Sequence, residues 1–107
     1  MKQLNKDLYS FKQLEDTSWE VKLTDENHPV FQAHFESNPL LPAFLQIDIM
    51  GEILDKSLSE IMMAKFKLAI LPSDTVIYKV TKIVNETYFV KIFKNDKIVS
   101  EMKLTYD

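Results

Sequence analysis

An α+β domain, with an antiparallel strand meander packed against one core helix, is the fold class this sequence predicts. Three observations predict it. From Ala43 to about Leu58 the chain is apolar over most of the helical circumference through its first half, the mark of a helix enclosed by other structure. Downstream, the runs Thr75 to Val84, Thr87 to Lys94 and Lys97 to Tyr106 are rich in Val, Ile, Thr, Tyr and Phe, side chains that suit a pleated, half-buried surface. Between the last two runs stand Asn95 and Asp96, both tolerant of the left-handed backbone that a tight hairpin turn requires.

Taken in order, the elements begin with Leu4, Leu8 and Phe11, whose helical spacing suggests a short amphipathic helix in an N-terminal extension, residues 1–17. Ser18 to Leu23 reads as a strand, and Val30 to Phe35 as a shorter extended piece that ends around His34. Pro39 and Pro42 bracket Leu40 and Leu41. Proline restricts the residue before it and fits a helix's first turn, so a tight loop should deliver the chain into the core helix at Pro42, with Asn38 or the turn around it as cap. Ile61 to Leu68 is the next strand, followed by the three runs above. In the last of them Ile98, Ser100, Met102, Leu104 and Tyr106 alternate with Val99, Glu101, Lys103 and Thr105, a strand with one covered face.

The chain has 107 residues, 46% of them hydrophobic, enough for one domain spanning 1–107 with a core of its own. It has no cysteine, which excludes a disulfide framework or a cysteine-zinc site. The charged N-terminus lacks the apolar core of a signal peptide, and no stretch is long enough to span a bilayer. A cytoplasmic protein is the expectation. The formal charge of −3 offers no electrostatic reason to expect a nucleic-acid partner.

Chemistry concentrates in the run His34-Phe35-Glu36-Ser37-Asn38-Pro39-Leu40-Leu41-Pro42-Ala43-Phe44-Leu45-Gln46-Ile47-Asp48. It sets an imidazole before a proline-marked turn and a carboxylate inside an apolar helix, the pair that proton transfer needs. At near-neutral pH an imidazole is the side chain best poised to accept a proton. Taken alone, His34 would read as a loop histidine bonded to its surroundings, and His28 has no assigned role. Asp48 shares a helical face with Glu52 and Asp55, so a solvated acidic stripe is the alternative to a site. Its neighbours Phe44, Leu45, Ile47 and Ile49 are apolar, which favours the site.

This run resembles the signature of the hot-dog-fold 3-hydroxyacyl-[acyl-carrier-protein] dehydratases, in which a His-Phe pair, a proline-rich turn and a helix-borne Glu or Asp follow in this order. His34, Phe35, Pro39, Pro42 and Asp48 fall on that pattern. A second segment, Lys65-Phe66-Lys67-Leu68-Ala69-Ile70-Leu71-Pro72-Ser73-Asp74, resembles the family's K-F-x-x-x-(I/V)-x-P-G-D. The resemblance covers about Trp19 to the end and implies a curved antiparallel sheet wrapped around the central helix. It further implies elimination of water from a (3R)-hydroxyacyl thioester on acyl carrier protein, with no metal or redox cofactor. His34 would remove the C2 proton, the backbone N–H of Ala43 would stabilise the oxyanion, and Asp48 would protonate the departing hydroxyl. Glu52, one turn on, would modulate Asp48, since nearby carboxylates oppose each other's ionisation. Phe31, Phe44, Met50 and Phe66 are candidates to line an acyl tunnel, with Met62 and Met63 beside them, although apolar residues at such positions are more often plain core. Lys65 and Lys67 are candidate contacts to the acidic carrier, against the simpler reading of a solvated strand face. A homodimer or higher homo-oligomer with the site at the dimer interface is expected.

Departures from the pattern are mostly lost glycines. Ala33, Ala43 and Ser73 stand where the family has Gly, Glu36-Ser37 replaces Pro-Gly, and Gly51 is the sole glycine. Ala43 still supplies its N–H at a helix end whose dipole favours negative charge. A hot-dog thioesterase, whose helix-associated acid activates water, and a non-catalytic acyl-binding or scaffold protein are the alternatives.

Overall fold

Apolar residues that recur at every second position are brought to one face only by a strand, and a sheet of such strands must cover that face with something else. A computed structural model describes residues 7–34 and 39–107, the side chains of Ala33 and His34 excepted. Its strands are β1 (Tyr9–Glu15), β2 (Ser18–Leu23), β3 (Leu58–Phe66), β4 (Thr75–Val84), β5 (Thr87–Lys94) and β6 (Lys97–Tyr106). They form one antiparallel sheet in the order β1-β2-β4-β5-β6-β3. The covering element is α2 (Ala43–Leu54), reached from β2 through a short helix, α1 (Pro29–His34). Among the described residues no helix is long and apolar enough to cross a membrane.

Val76, Tyr78 and Val80 of β4, with Val90 and Ile92 of β5, share one buried cluster with Leu45, Ile49 and Met50 of α2. Buried polar groups tie these layers together. Gln46, 3% exposed, accepts at Oε1 from the Ser100 hydroxyl (2.7 Å) and donates from Nε2 to the Leu41 carbonyl (3.3 Å). Tyr78 donates to the Gln46 carbonyl (2.9 Å) and Tyr106 to the Ile47 carbonyl (3.3 Å). These two phenols thus find acceptors on the helix backbone, as buried tyrosines usually do. Gly51 allows the close approach, because a Cβ there would lie 3.3 Å from Cε1 of Tyr106 and 3.2 Å from the Lys56 carbonyl.

The four later strands appear where hydropathy and turn chemistry put them, β4, β5 and β6 residue for residue and β3 shifted toward the helix. Asn95 and Asp96 are both left-handed, with φ of 51° and 66°. Three expectations are corrected. The segment expected as an N-terminal helix is strand from Tyr9 onward, because Tyr9, Phe11 and Gln13 line up opposite Leu23, Val21 and Trp19 of β2. Leu8 just before it is fully buried, while Leu4 lies outside the described residues. The piece from Val30 is helical. Pro29 opens it in the position proline favours, and His28 caps it, accepting the Val30 N–H at Nδ1 (3.1 Å) while its carbonyl receives Phe31 and Gln32. Finally, α2 ends at Leu54 rather than near Leu58. Left-handed Asp55 turns the chain, and the N–H groups of Asp55 and Lys56 close on the carbonyls of Glu52 and Gly51.

Ser73, which stands where the resembled motif has glycine, adopts φ 67°, a left-handed conformation that costs a non-glycine residue about 1–2 kcal/mol. Three contacts hold it: its N–H donates to the Thr24 carbonyl (2.8 Å), and next door Asp74 accepts the Leu71 N–H (2.7 Å) and pairs with Lys94 (2.7 Å). Replacing Ser73 by Gly should therefore raise stability by roughly 0.5–1 kcal/mol, part of the relief being offset by glycine's greater freedom when unfolded; urea titration measures it. In the core, Ser100→Ala strands the buried Gln46 amide oxygen and should lose about 1–3 kcal/mol. Tyr78→Phe leaves its carbonyl acceptor with an intrahelical partner and should lose less. Equal losses in the same titration would show that Gln46 is not the strained partner.

Candidate active site

The loop into α2 is anchored before it reaches the helix. Leu41, 1% exposed, donates its N–H to the Ile70 carbonyl (2.7 Å), which fastens the proline-bracketed turn to the β3–β4 connection. Pro42 is the residue at the helix N-cap, extended at φ −59° and ψ 150°, and its carbonyl receives the N–H groups of Leu45 and Gln46. The expected cap, Asn38, lies outside the described residues. Pro42 itself has no side-chain group that could cap this end. The first N–H of an α-helix has no acceptor within the helix, so the Ala43 N–H stands at the electropositive end of α2, on an exposed residue.

Asp48 projects from the middle of α2. Its Oδ2 is buried without a hydrogen-bond partner among the described residues, and so is the Tyr9 hydroxyl. Burial raises the Asp48 pKa above the ordinary carboxylate value, and the Glu52 carboxylate one turn on raises it further. The same carboxylates act on the phenols around them. Burial first, then Glu52 and Asp48, push Tyr9 upward, and burial with Asp48 pushes Tyr106 upward. The Tyr9 hydroxyl lies near enough to Glu52 for this influence yet outside hydrogen-bonding geometry. Asp48, Glu52, Tyr9 and Tyr106 are therefore one electrostatic cluster, in which the neutral form of Asp48 is favoured. A carboxyl held toward its acid form is a proton donor at a pH where an ordinary aspartate is not.

Tyr9 had no place in the expected site, since a helix was expected there. The signal was the alternation of Tyr9 and Phe11 with Ser10 and Lys12, which is also compatible with a strand. His34 closes α1, and its imidazole lies outside the described residues, as do Phe35 and its neighbours to residue 38. The tunnel candidates divide. Phe31 and Met50 are buried in the core, whereas Phe44 and Phe66 are each nearly half exposed. Phe31 also edges a surface depression with Glu26, Gln32 and Pro39, beside the His34-bearing helix. Lys65 is exposed on β3, and Lys67 just beyond it pairs with Glu101 (2.7 Å), a bond that lowers the Glu101 pKa.

The raised Asp48 pKa has a consequence for stability. Folding that raises a carboxyl's pKa makes the native state bind the proton more tightly than the unfolded chain. The favourable contribution is complete below the unfolded value and is lost as pH rises through the folded one. Asp48→Asn, which cannot ionise, should raise the melting temperature at pH 7–8, and the gain should shrink toward pH 4. Thermal unfolding at the two pH values checks this, a constant difference being the contrary result.

The family model described as ApeI dehydratase, of the ApeI-like proteins, matches residues 10–103. No curated protein sequence matches the chain. Among solved structures, the chain is similar to the dehydratase heterocomplex ApeI:P from Xenorhabdus doucetiae, with a TM-score of 0.73 and 24% identity over 91% of this chain and 93% of that one. It is also similar to the E. coli PaaI protein, at TM-score 0.62 and 12% identity over 98% and 87% of the two chains. A hypothetical thioesterase from Streptococcus pneumoniae, solved with coenzyme A, gives 0.59 and 13% over 92% and 86%. At such identities these structures establish the shared architecture, the hot-dog fold. The family match, which reaches both helices and all six strands, establishes more: this chain belongs to the ApeI-like dehydratase family.

Proposed function

We propose that the protein removes water from a (3R)-hydroxyacyl thioester carried on acyl carrier protein, yielding the trans-2-enoyl thioester, at a site shared by two copies of the chain. The observation that supports this most is the state of Asp48, a carboxyl whose buried oxygen is unpartnered and whose surroundings favour the protonated form. In this reading His34 takes the proton from C2, and the electron pair of that bond forms the C2–C3 double bond. The carbon–oxygen bond at C3 breaks, and Asp48 of the other copy delivers its proton to the departing hydroxyl. The Ala43 N–H polarises the thioester carbonyl, where negative charge develops. Phe44 and Phe66, apolar and exposed in a single chain, suit an acyl passage. Lys65, exposed on β3, is the better placed of the two carrier-contact lysines, because Lys67 is already paired with Glu101.

Thioesterase structures share the fold, so hydrolysis is the competing chemistry. A thioesterase acid that activates water works in its ionised form, whereas the raised pKa of Asp48 leans toward the acid form that dehydration uses. The dehydratase role also carries a pH signature: the rate should fall as pH rises through the Asp48 pKa, because the acid is then lost, and fall again at low pH as His34 becomes protonated.

Hydration and dehydration of short and medium 3-hydroxyacyl and 2-enoyl thioesters on acyl carrier protein is the deciding assay, with thioester hydrolysis followed in parallel. Wild type should turn over at least one chain length. His34→Ala and Asp48→Asn should each reduce the rate by about 10²–10⁴-fold while keeping the circular dichroism of the wild type. Hydrolysis without dehydration would establish the thioesterase, and neither activity the acyl-binding alternative.

A further inference from the structure

Tyrosine hydroxyls from three strands are directed at α2. Tyr78 of β4 donates to the Gln46 carbonyl (2.9 Å) and Tyr106 of β6 to the Ile47 carbonyl (3.3 Å). The third, the Tyr9 hydroxyl of β1, is buried with no acceptor among the described residues. Native proteins seldom leave such a donor unmet. Its strand is nonetheless firmly placed. Leu8 just before it is fully buried and receives the Thr24 N–H at its carbonyl (2.8 Å). Tyr9 itself stands opposite the buried Leu23, so its ring lies on the covered face of the sheet, packed against the core. The acids that act on this phenol are Glu52 and Asp48. Asp48 follows directly on the two carbonyls that Tyr78 and Tyr106 engage, and its Oδ2 is buried with no donor among the described residues. One unmet donor and one unmet acceptor thus occupy the same acidic face of the helix.

We propose that Tyr9 is a positioning residue for Asp48: its hydroxyl donates to Oδ2 once Asp48 has given up its proton, and so holds the carboxylate that each turnover produces. The assignment rests on the acid role given to Asp48 above and deepens it. In the resting protein the two atoms are not bonded to each other. When the proton passes to the departing hydroxyl and the C3–oxygen bond breaks, the negative charge stays on Asp48, where burial opposes it. A hydrogen bond to a charged acceptor is roughly twice as strong as one between neutral groups, so the Tyr9 bond gains strength as the charge develops. A contact that is stronger in the transition state than in the ground state is the kind that accelerates a reaction. The last torsion of a carboxyl is broad and roughly two-fold, which leaves Oδ2 free to turn toward a new donor. Tyr9 keeps its own proton throughout, because burial and then the two acids push its pKa upward. The other titratable side chains of the cluster do not supply this bond. Glu52 raises the Asp48 pKa rather than accommodating its charge, and the hydroxyls of Tyr78 and Tyr106 are engaged by the helix backbone.

Tyr9→Phe removes the hydroxyl and keeps the ring. Titration of the Asp48 carboxyl carbon by NMR, in the full chain and in this variant, tests the contact without substrate, each protein being checked for wild-type circular dichroism. Losing a donor to the ionised form should move the Asp48 midpoint to higher pH by about one pH unit, the equivalent of a charge-assisted hydrogen bond. Tyr106→Phe, which removes a phenol near the same acid but bonded elsewhere, should move it less. The melting temperature of Tyr9→Phe should not fall, since the hydroxyl has no partner to lose in the resting protein. In the dehydration assay kcat should drop about tenfold with KM little changed. The alkaline limb should follow the midpoint upward, giving a slower enzyme that stays active to higher pH. A midpoint that stays or moves down, an equal shift in Tyr106→Phe, or an unchanged kcat in an active enzyme would overturn the proposal. An inactive wild type whose Asp48 midpoint still rises in Tyr9→Phe would sink the dehydratase reading and leave the contact standing. An active wild type whose midpoint ignores Tyr9 would sink only the role of Tyr9.

Discussion

The side chain and carbonyl of Gln46 bind the sheet to the helix, and the rest of the molecule is arranged around that attachment. One buried amide holds Ser100 on β6 and the Leu41 carbonyl in the loop that feeds α2, while its backbone carbonyl receives Tyr78 from β4. Hydrophobic burial alone would let α2 slide or rotate on the sheet, since apolar contact has no direction. Directional bonds to buried groups that must be satisfied remove that freedom. Because Asp48 follows two residues later on a rigid helix, its aim is set by the same bonds, and Tyr106 fixes the adjoining turn through the Ile47 carbonyl.

That rigidity has a purpose legible in the electrostatics. The face of α2 carrying Asp48 and Glu52 is flanked by Tyr9 from the first strand and Tyr106 from the last, and two of these polar atoms have no partner among the described residues. A structure selected for stability alone would pair or remove them. Unpaired buried groups and a carboxyl with a raised pKa are features that cluster at functional sites, which is why the proposed function is built on them. The opposing element is the helix N-terminus, where Pro42 holds the cap position and the helix dipole makes the Ala43 end electropositive.

Loss of glycine from the resembled motif did not entail loss of its backbone shape. Ser73 takes the left-handed conformation that glycine would take, held by Thr24 and by the bonds of neighbouring Asp74. Asp55, Asn85, Asn95 and Asp96 also turn the chain at positive φ. Short polar side chains tolerate this region better than other non-glycine residues do. Asp74 accordingly has a structural role, binding the Leu71 N–H and Lys94.

By itself the sequence determined the class of fold, β2, β4, β5 and β6, the start of the core helix, and Asp48 as the helix-borne acid. These depend on local information: alternation over a strand's length, turn residues with special backbone tolerance, and a proline at a helix entrance. Tertiary structure decided the rest, because the deciding partners are distant in the chain. Tyr9 and Phe11 are strand residues only because β2 lies beside them; their spacing fits a helix almost as well. The segment after His28 is helical because Pro29 and the His28 ring close its first turn, a bond invisible in hydropathy. The raised pKa of Asp48 likewise belongs to no local pattern. It arises where both ends of the chain are folded back onto one helical face, which buries one oxygen of the carboxyl and sets another carboxylate and two phenols around it.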